Sequence, residues 1–168
     1  MRKARIALAV GTLLTVSVAC SFIHPWGNVR AVKSDAPLMQ GANVPADVQV
    51  ILQNKCADCH SDSTRWPVWG YFAPGSWLME RDVHEAREHL DMSKWASFDT
   101  DTQAELLSKM GSEARSGEMA PKQYLLLHRS AKLTPDEQEL IYAWAKTERK
   151  RIRQQAADAE NQKGAETK

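Results

Sequence analysis

Two cysteines and a histidine within five residues are the part of this sequence best suited to do chemistry. The run Cys56-Ala57-Asp58-Cys59-His60 has the C-x-x-C-H spacing that attaches c-type haem. On a helix, residues i and i+3 lie on one face about 5 to 6 Å apart, so two thiols there can form thioethers to neighbouring vinyl groups of one porphyrin. His60 projects from the same side and can place an imidazole nitrogen on the iron. The spacing therefore predicts one covalent haem c, with His60 as a metal ligand.

Two other uses of the cysteine pair stay open at this point. A dithiol redox pair of the thioredoxin type belongs in a βαβ setting, and the sequence shows no alternating strand pattern. A zinc site needs four ligands, and His84 and His89, five residues apart, would have to complete it. A closed disulfide framework is excluded because the chain has three cysteines, an odd number.

Met119 is the predicted second axial ligand of the iron. It lies in a loop between two predicted helices, bounded by Gly117 and Pro121, and a methionine flanked there by charged residues is a poor candidate for the core. A thioether on such a loop can be brought over the open face of a haem. The alternative ligands are histidines, namely His84, His89 and His128. We expect the first two on the solvated face of a charged helix and the third partly buried.

Aromatic residues are concentrated directly after the cysteine motif. The segment from Ser61 to Gly75 is too interrupted by proline and glycine for a helix and too aromatic for a solvated loop. We therefore expect it to wrap an apolar group. The predicted walls of a haem pocket are Trp66, Trp69, Trp77 and Tyr124.

The first 23 residues read as a membrane segment. Basic residues precede an uncharged run from Ile6 to Ile23, which as a helix is about 27 Å long, close to the hydrocarbon thickness of about 30 Å. Positive charge before an apolar run keeps the amino end in the cytoplasm. The sequence predicts an uncut anchor, with the rest of the chain on the periplasmic side of the bacterial inner membrane. The alternatives are cleavage at the small-x-small site of Ser17 and Ala19, giving a secreted protein, and lipidation of Cys20.

Helical patterns dominate the rest of the chain and predict an all-α domain. We expect a linker over residues 24–44, a folded domain over 45–148, and a charged helix end with a disordered tail over 149–168. The first helix starts near Pro45 and buries Val48, Ile51 and Leu52.

Capping residues mark three further helices. Ser76 is the predicted cap of a helix over about 77–90, and Thr100 with Gln103 forms the predicted capping box of a helix that ends at Gly117. Thr134 and Glu137 are the predicted capping box of the last helix.

Charge and composition exclude several classes of function. The chain has 22 basic and 21 acidic residues and a net charge of +1, which gives no field for holding nucleic acid. No acid/base pair or nucleophilic triad stands out, so we expect a haem-binding module rather than an enzyme.

Several motifs follow one another in a fixed order after the cysteine pair. They are Cys56-Ala57-Asp58-Cys59-His60-Ser61-Asp62, Trp66-Pro67, Ala73-Pro74-Gly75-Ser76-Trp77, Arg87-Glu88-His89-Leu90, Ser93-Lys94-Trp95, Gly117-Glu118-Met119, Tyr124 and Leu127-His128. Together they resemble the bacterial haem-binding domain family, over about Pro45 to Lys146. The resemblance implies a small cytochrome c-like helical domain behind an amino-terminal membrane segment, with His60 as the proximal and Met119 as the distal ligand.

The sixth position of the iron separates two possible functions. If Met119 closes it, the expected function is one-electron transfer, with a potential raised by the methionine. If no side chain closes it, small molecules can bind, and the expected function is that of a sensor or a weak peroxidase. The sequence identifies no redox partner.

Overall fold

The computed structural model describes residues 2–30 and 37–166. The regular secondary structure in these two ranges is helical, with no β-strand. This confirms the all-α fold. The α-helices are α1 (Arg2–Cys20), α2 (Ala46–Ile51), α3 (Ala57–His60), α4 (Gly75–His89), α5 (Thr100–Ser116), α6 (Lys122–Leu127) and α7 (Pro135–Glu166). A π-helical turn (Leu52–Cys56) joins α2 to α3, and 3₁₀ turns cover Val68–Tyr71, Met92–Ser97 and Arg129–Ala131.

The core lies where α2, α5 and α7 pack together. Val48 and Leu52 are buried as the helical spacing predicts, and they share one cluster with Leu107 of α5 and Trp144 of α7. Gly111 lets α5 and α7 approach closely, because a Cβ there would lie 3.3 Å from the Cβ of Ala145. This core forms the platform from which the cysteine motif extends.

The described part of the predicted linker, residues 24–30 and 37–44, is folded onto the domain. Met39 is almost fully buried in the core, and its backbone N–H donates to the carbonyl of Met92. The backbone of Asn43 donates to Glu148 and accepts from the indole of Trp144. The prediction that the folded domain begins near Pro45 is therefore wrong, because contacts more than fifty residues distant in sequence hold this segment.

The helix ends test the capping predictions. Thr134 and Glu137 form the predicted capping box, and Gly117 ends α5 in the left-handed conformation. The other two caps are wrong. Asp99, not Thr100, caps α5 by accepting the backbone N–H of Thr102, and α4 begins at Gly75 without a side-chain cap.

The last helix is longer than expected. α7 continues to Glu166, and Ile152 is buried against the core well beyond Glu148. The prediction of a disordered tail is wrong as far as residue 166, and residues 167 and 168 lie outside the described part of the chain.

The amino-terminal helix differs from the others in exposure. None of the residues of α1 is buried, and by length and composition the helix is able to cross a membrane, with a mean hydropathy of 1.5. Ser17 near its end and Ser21 just after it both bond to the backbone of Ala73. The amino-terminal helix and the domain are thus joined by contacts as well as by the chain.

Candidate functional site

The cysteine motif lies where the π-helical turn passes into α3. Cys56 ends the turn, and Cys59 and His60 end α3, so the motif is helical as expected. Both cysteines are partly buried and carry free thiols. Lys55, next to Cys56, holds the turn against α7 through an ion pair of 2.6 Å with Glu137. Two sulfur atoms are therefore presented from one short, anchored segment.

Burial keeps these thiols protonated. It raises the pKa of Cys56 to about 12 and that of Cys59 to about 12, and the negative charge of Asp58 adds to the second shift. Reactive dithiol pairs have the opposite property, a lowered pKa that supplies the thiolate. The electrostatics of the site therefore argue against the thioredoxin-type interpretation.

The imidazole of His60 is oriented by a hydrogen bond to a backbone carbonyl. Its Nδ1–H donates to the carbonyl oxygen of Leu90 over 2.9 Å, and because a carbonyl only accepts, the proton must be on Nδ1. Burial lowers the pKa of His60, which favours the neutral form. The lone pair of Nε2 is then available to a metal, the arrangement in which a backbone acceptor orients a ligating histidine.

A partly buried arginine fixes the chain directly after the motif. Arg87 of α4 donates to the carbonyl of Ser61 over 2.7 and 3.1 Å and lies 3.5 Å from the carboxylate of Asp62. The hydroxyl of Ser61 donates to the carbonyl of Ala57, which closes α3. We expected the charged residues of α4 to be solvated. The sequence did not predict this role of Arg87, because only the contact with Ser61 shows that its side chain points inward.

An aromatic cluster lies beside Cys59. Tyr124 stacks on His128 with ring centroids 4.3 Å apart, and Trp69 lies 6.2 Å from the same imidazole. Burial raises the pKa of Tyr124 to about 12, and the nearby Cys59 contributes to the shift. The structure thus brings two of the four predicted wall residues together with a histidine.

The other predicted site residues lie elsewhere. Trp66 lies 5.8 Å from the guanidinium of Arg30 and is next to Gly70, whereas the indole N–H of Trp77 donates to the carbonyl of Ile23, which follows α1. Met119 is partly buried in the loop before α6. The haem contacts of these three residues stay predictions.

The histidines offered as alternative ligands fall into two groups. His89 is exposed, as expected for a solvated face, whereas His84 is half-buried and lies 3.4 Å from Glu88. His128 is partly buried, and within the described chain its buried Nδ1 has no hydrogen-bond partner. No group of three or more His, Cys, Asp or Glu side chains in residues 2–30 and 37–166 is arranged to hold a metal ion, so the zinc interpretation has no ligand cluster there.

Comparison with known families decides between the remaining interpretations. The sequence profile of the haem-binding domain family matches residues 15–147. The chain belongs to the haem-binding domain family. No curated protein and no solved structure matches it. The matched range of this haem-binding domain starts within α1 and includes residues 24–44, in agreement with the contacts that fold this segment onto the domain.

The side chains of the haem-binding domain fit the group that the family implies. In its neutral form His60 presents the lone pair of Nε2, and two unbridged thiols precede it. The unpartnered Nδ1 of His128 lies in the aromatic cluster beside them. An imidazole ligand, two sulfur atoms and aromatic surfaces are the groups by which proteins hold a c-type haem.

Proposed function

We propose that this haem-binding domain is a membrane-anchored c-type cytochrome that carries single electrons on the periplasmic side of the bacterial inner membrane. The observation that carries the proposal is the partly buried His60, directly after two unbridged thiols, whose Nδ1–H donates to the carbonyl of Leu90 and so leaves the lone pair of the neutral imidazole on Nε2. When bound, a haem supplies a ferric/ferrous couple. The chain's own residues attach, orient and shield it. A redox protein on the same side of the membrane would serve as the partner.

Covalent attachment through Cys56 and Cys59 is the first part of the proposal. The double variant Cys56→Ala/Cys59→Ala should carry no haem stain on a denaturing gel, because no thioether is left to survive unfolding. Cys20→Ala is the matched control, since it removes the third cysteine and should keep the stain at the parent level. A stained double variant would contradict attachment by this motif.

Met119 is the proposed distal ligand, and His128 is its competitor. Met119 precedes α6, the helix whose Tyr124 lies beside Cys59. A methionine sulfur is a soft ligand that favours ferrous iron and raises the potential. His128 competes because its Nδ1 is buried without a partner within the described chain.

Carbon monoxide distinguishes the ligands and the two functions. The reduced parent should resist carbon monoxide, Met119→Ala should bind it and have a lower reduction potential, and His128→Ala should resemble the parent. If only His128→Ala binds carbon monoxide, His128 is the distal ligand in place of Met119, and the proposed function as an electron carrier is unchanged. Ready binding by the parent would refute the carrier and support the alternative, a sensor or weak peroxidase.

Retention of the anchor is the last part of the proposal. Cleavage after Ala19 would remove Ser17, whose hydroxyl donates to the carbonyl of Ala73, and would cut inside the range matched by the family. The intact mass of the purified protein should therefore begin at or near Met1. A mass beginning at Cys20 would contradict this, with added acyl chains for a lipoprotein and without them for a secreted protein.

A further inference from the structure

The end of α1 and the turn that follows contact the domain through a polar stripe. Ser17, Cys20, Ser21 and His24 recur at helical spacing and are all partly buried, whereas Phe22 and Ile23 between them are exposed. A membrane helix with one polar stripe satisfies those groups against protein and turns its apolar residues to lipid. The stripe therefore marks the side on which the domain sits.

Side-chain hydrogen bonds between residues 17–24 and 73–80 form this contact. The hydroxyl of Ser17 donates to the carbonyl of Ala73, the hydroxyl of Ser21 accepts the N–H of Ala73 over 2.9 Å, and Trp77 donates to the carbonyl of Ile23 over 2.9 Å. The fourth link joins His24 and Glu80.

Glu80 makes separation of α1 from the domain energetically unfavourable. Its side chain is fully buried, 2.7 Å from Nδ1 of His24 and 3.6 Å from the guanidinium of Arg30. Separating α1 from the domain would leave a buried carboxylate without its closest partner, which is strongly unfavourable. The domain is therefore held at a fixed position on the helix instead of moving on a tether.

The hydrogen bonds between Ala73 and the end of α1 determine how deep Ala73 lies relative to the membrane. α1 has 19 residues and is therefore about 28 Å long at about 1.5 Å per residue, close to the hydrocarbon thickness of about 30 Å, so the end of α1 lies near the outer boundary of the layer. Ser17 and Ser21 are within about one helical turn of that end, and Ala73 is bonded to both. Residues next to Ala73 must reach the same boundary.

Those neighbours are apolar and exposed. Val68 is 78% exposed and Phe72 48%, and no residue between 66 and 79 is charged. We define the apolar face as Val68, Tyr71, Phe72 and Leu78, all exposed, together with Phe22 and Ile23 of the segment after α1. Aromatic residues at this depth are typical of the membrane interface, and an exposed apolar patch of this kind marks a binding surface.

We propose that the apolar face lies in the interface between headgroups and acyl chains of the bilayer that α1 spans, which rests on the uncut anchor proposed above. The partner of this surface is lipid, because the hydrogen bonds to Ser17 and Ser21 bring the face to the depth of the membrane boundary. Trp69 shares the 3₁₀ turn Val68–Tyr71 with two residues of the face. The aromatic cluster beside Cys59 is thereby held close to the membrane surface.

Photocrosslinking to lipid tests the proposal on the full chain. The haem-loaded protein is placed in nanodiscs of phosphatidylcholine that carries a photoreactive group on the acyl chain near the glycerol, and adducts are located by mass spectrometry of peptides. We expect adducts in α1 and in residues 66–79. The peptide around Lys109, exposed on α5, should carry none.

Matched variants show whether the apolar face causes the labelling. Phe72→Glu should lower adducts in residues 66–79 about tenfold. The substitution exchanges an apolar ring that enters the lipid for a carboxylate that stays in water. Val50→Glu is the control, since Val50 is 56% exposed on α2 and should leave the labelling unchanged. Ser21→Ala should reduce the same adducts by removing the acceptor for Ala73. An unchanged haem spectrum shows that each variant is folded.

Each contrary outcome has its own meaning. Adducts in α1 but not in residues 66–79 would overturn the inference and leave the anchor intact. Labelling around Lys109 as strong as that of the apolar face would also overturn it. A chain whose intact mass lacks α1 would overturn the anchor first, and this inference with it.

Discussion

Gly75→Ala is expected to disturb the aromatic cluster more than its single methyl group suggests. A Cβ at residue 75 would lie 2.7 Å from the carbonyl oxygen of Trp69 and 3.0 Å from its ring. Carbon and carbonyl oxygen approach to about 3.3 Å at closest in proteins, so one of them must move by about 0.6 Å. The obstacle is backbone and cannot rotate away. Trp69 would therefore be pushed in the direction of His128 or the 3₁₀ turn would open.

The cost follows from two opposing contributions. Overpacking of this kind costs about 1–3 kcal/mol, and replacing glycine in a helix recovers up to about 1 kcal/mol. Taking the middle of the first range, about 2 kcal/mol, the net loss is about 1–2 kcal/mol. With a urea m-value of about 2 kcal/mol/M, the midpoint of unfolding should fall by roughly 0.5–1 M.

Two other glycines provide a graded comparison. A Cβ at Gly70 would meet the side chain of Trp66 at 3.3 Å, which can adjust, and a Cβ at Gly164 of α7 would meet nothing within 4 Å. The order of midpoints should therefore be Gly164→Ala highest, Gly70→Ala intermediate and Gly75→Ala lowest. The haem-loaded full chain in detergent is unfolded in urea and followed by circular dichroism. The Soret band should shift only in Gly75→Ala. A midpoint for Gly75→Ala at or above that of Gly70→Ala would refute the steric argument.

Two further predictions concern His60 and the start of α5. In the chain without haem, where no iron occupies Nε2, burial lowers the folded pKa of His60, so the unfolded chain binds the proton first, and stability should fall as pH drops below about 6.5, by at most about 1.4 kcal/mol per pH unit. Urea midpoints that are equal at pH 7 and pH 5 would contradict burial of a neutral imidazole. Asp99→Ala should lower the thermal midpoint and Thr100→Ala should not, because Asp99 accepts the N–H of Thr102; equal effects would restore the cap predicted from sequence.

Local patterns predicted the elements that depend on near neighbours. Thr134 and Glu137 lie three residues apart and satisfy each other's backbone N–H groups whatever the rest of the chain does. Gly117 ends α5 because it adopts φ +74°, which costs glycine nothing. The cap of α5 was misplaced by one residue because Asp99 and Thr100 are both capping residues, and the sequence does not decide between adjacent candidates.

Burial of charge could not be predicted in the same way. Arg87 and Glu80 lie in a helix whose composition indicates a solvated face, yet one holds the carbonyl of Ser61 and the other is paired with His24. Their partners are 26 and 56 residues away in sequence. The sequence pattern of α4 does not predict contacts with residues so distant in the chain.

The sequence by itself determined the family's cofactor class, haem, and it predicts the attachment site without any distant residue, because two cysteines and a histidine at C-x-x-C-H spacing lie within one short segment. Only the tertiary structure decided how that chemistry is held. The carbonyl of Leu90, 30 residues further on, determines which nitrogen of His60 is free, and Ala73 determines where the domain sits on α1. Both hydrogen bonds are made by backbone groups, which every residue carries. Tertiary packing therefore determines which residue supplies them, and the residue types do not predict it.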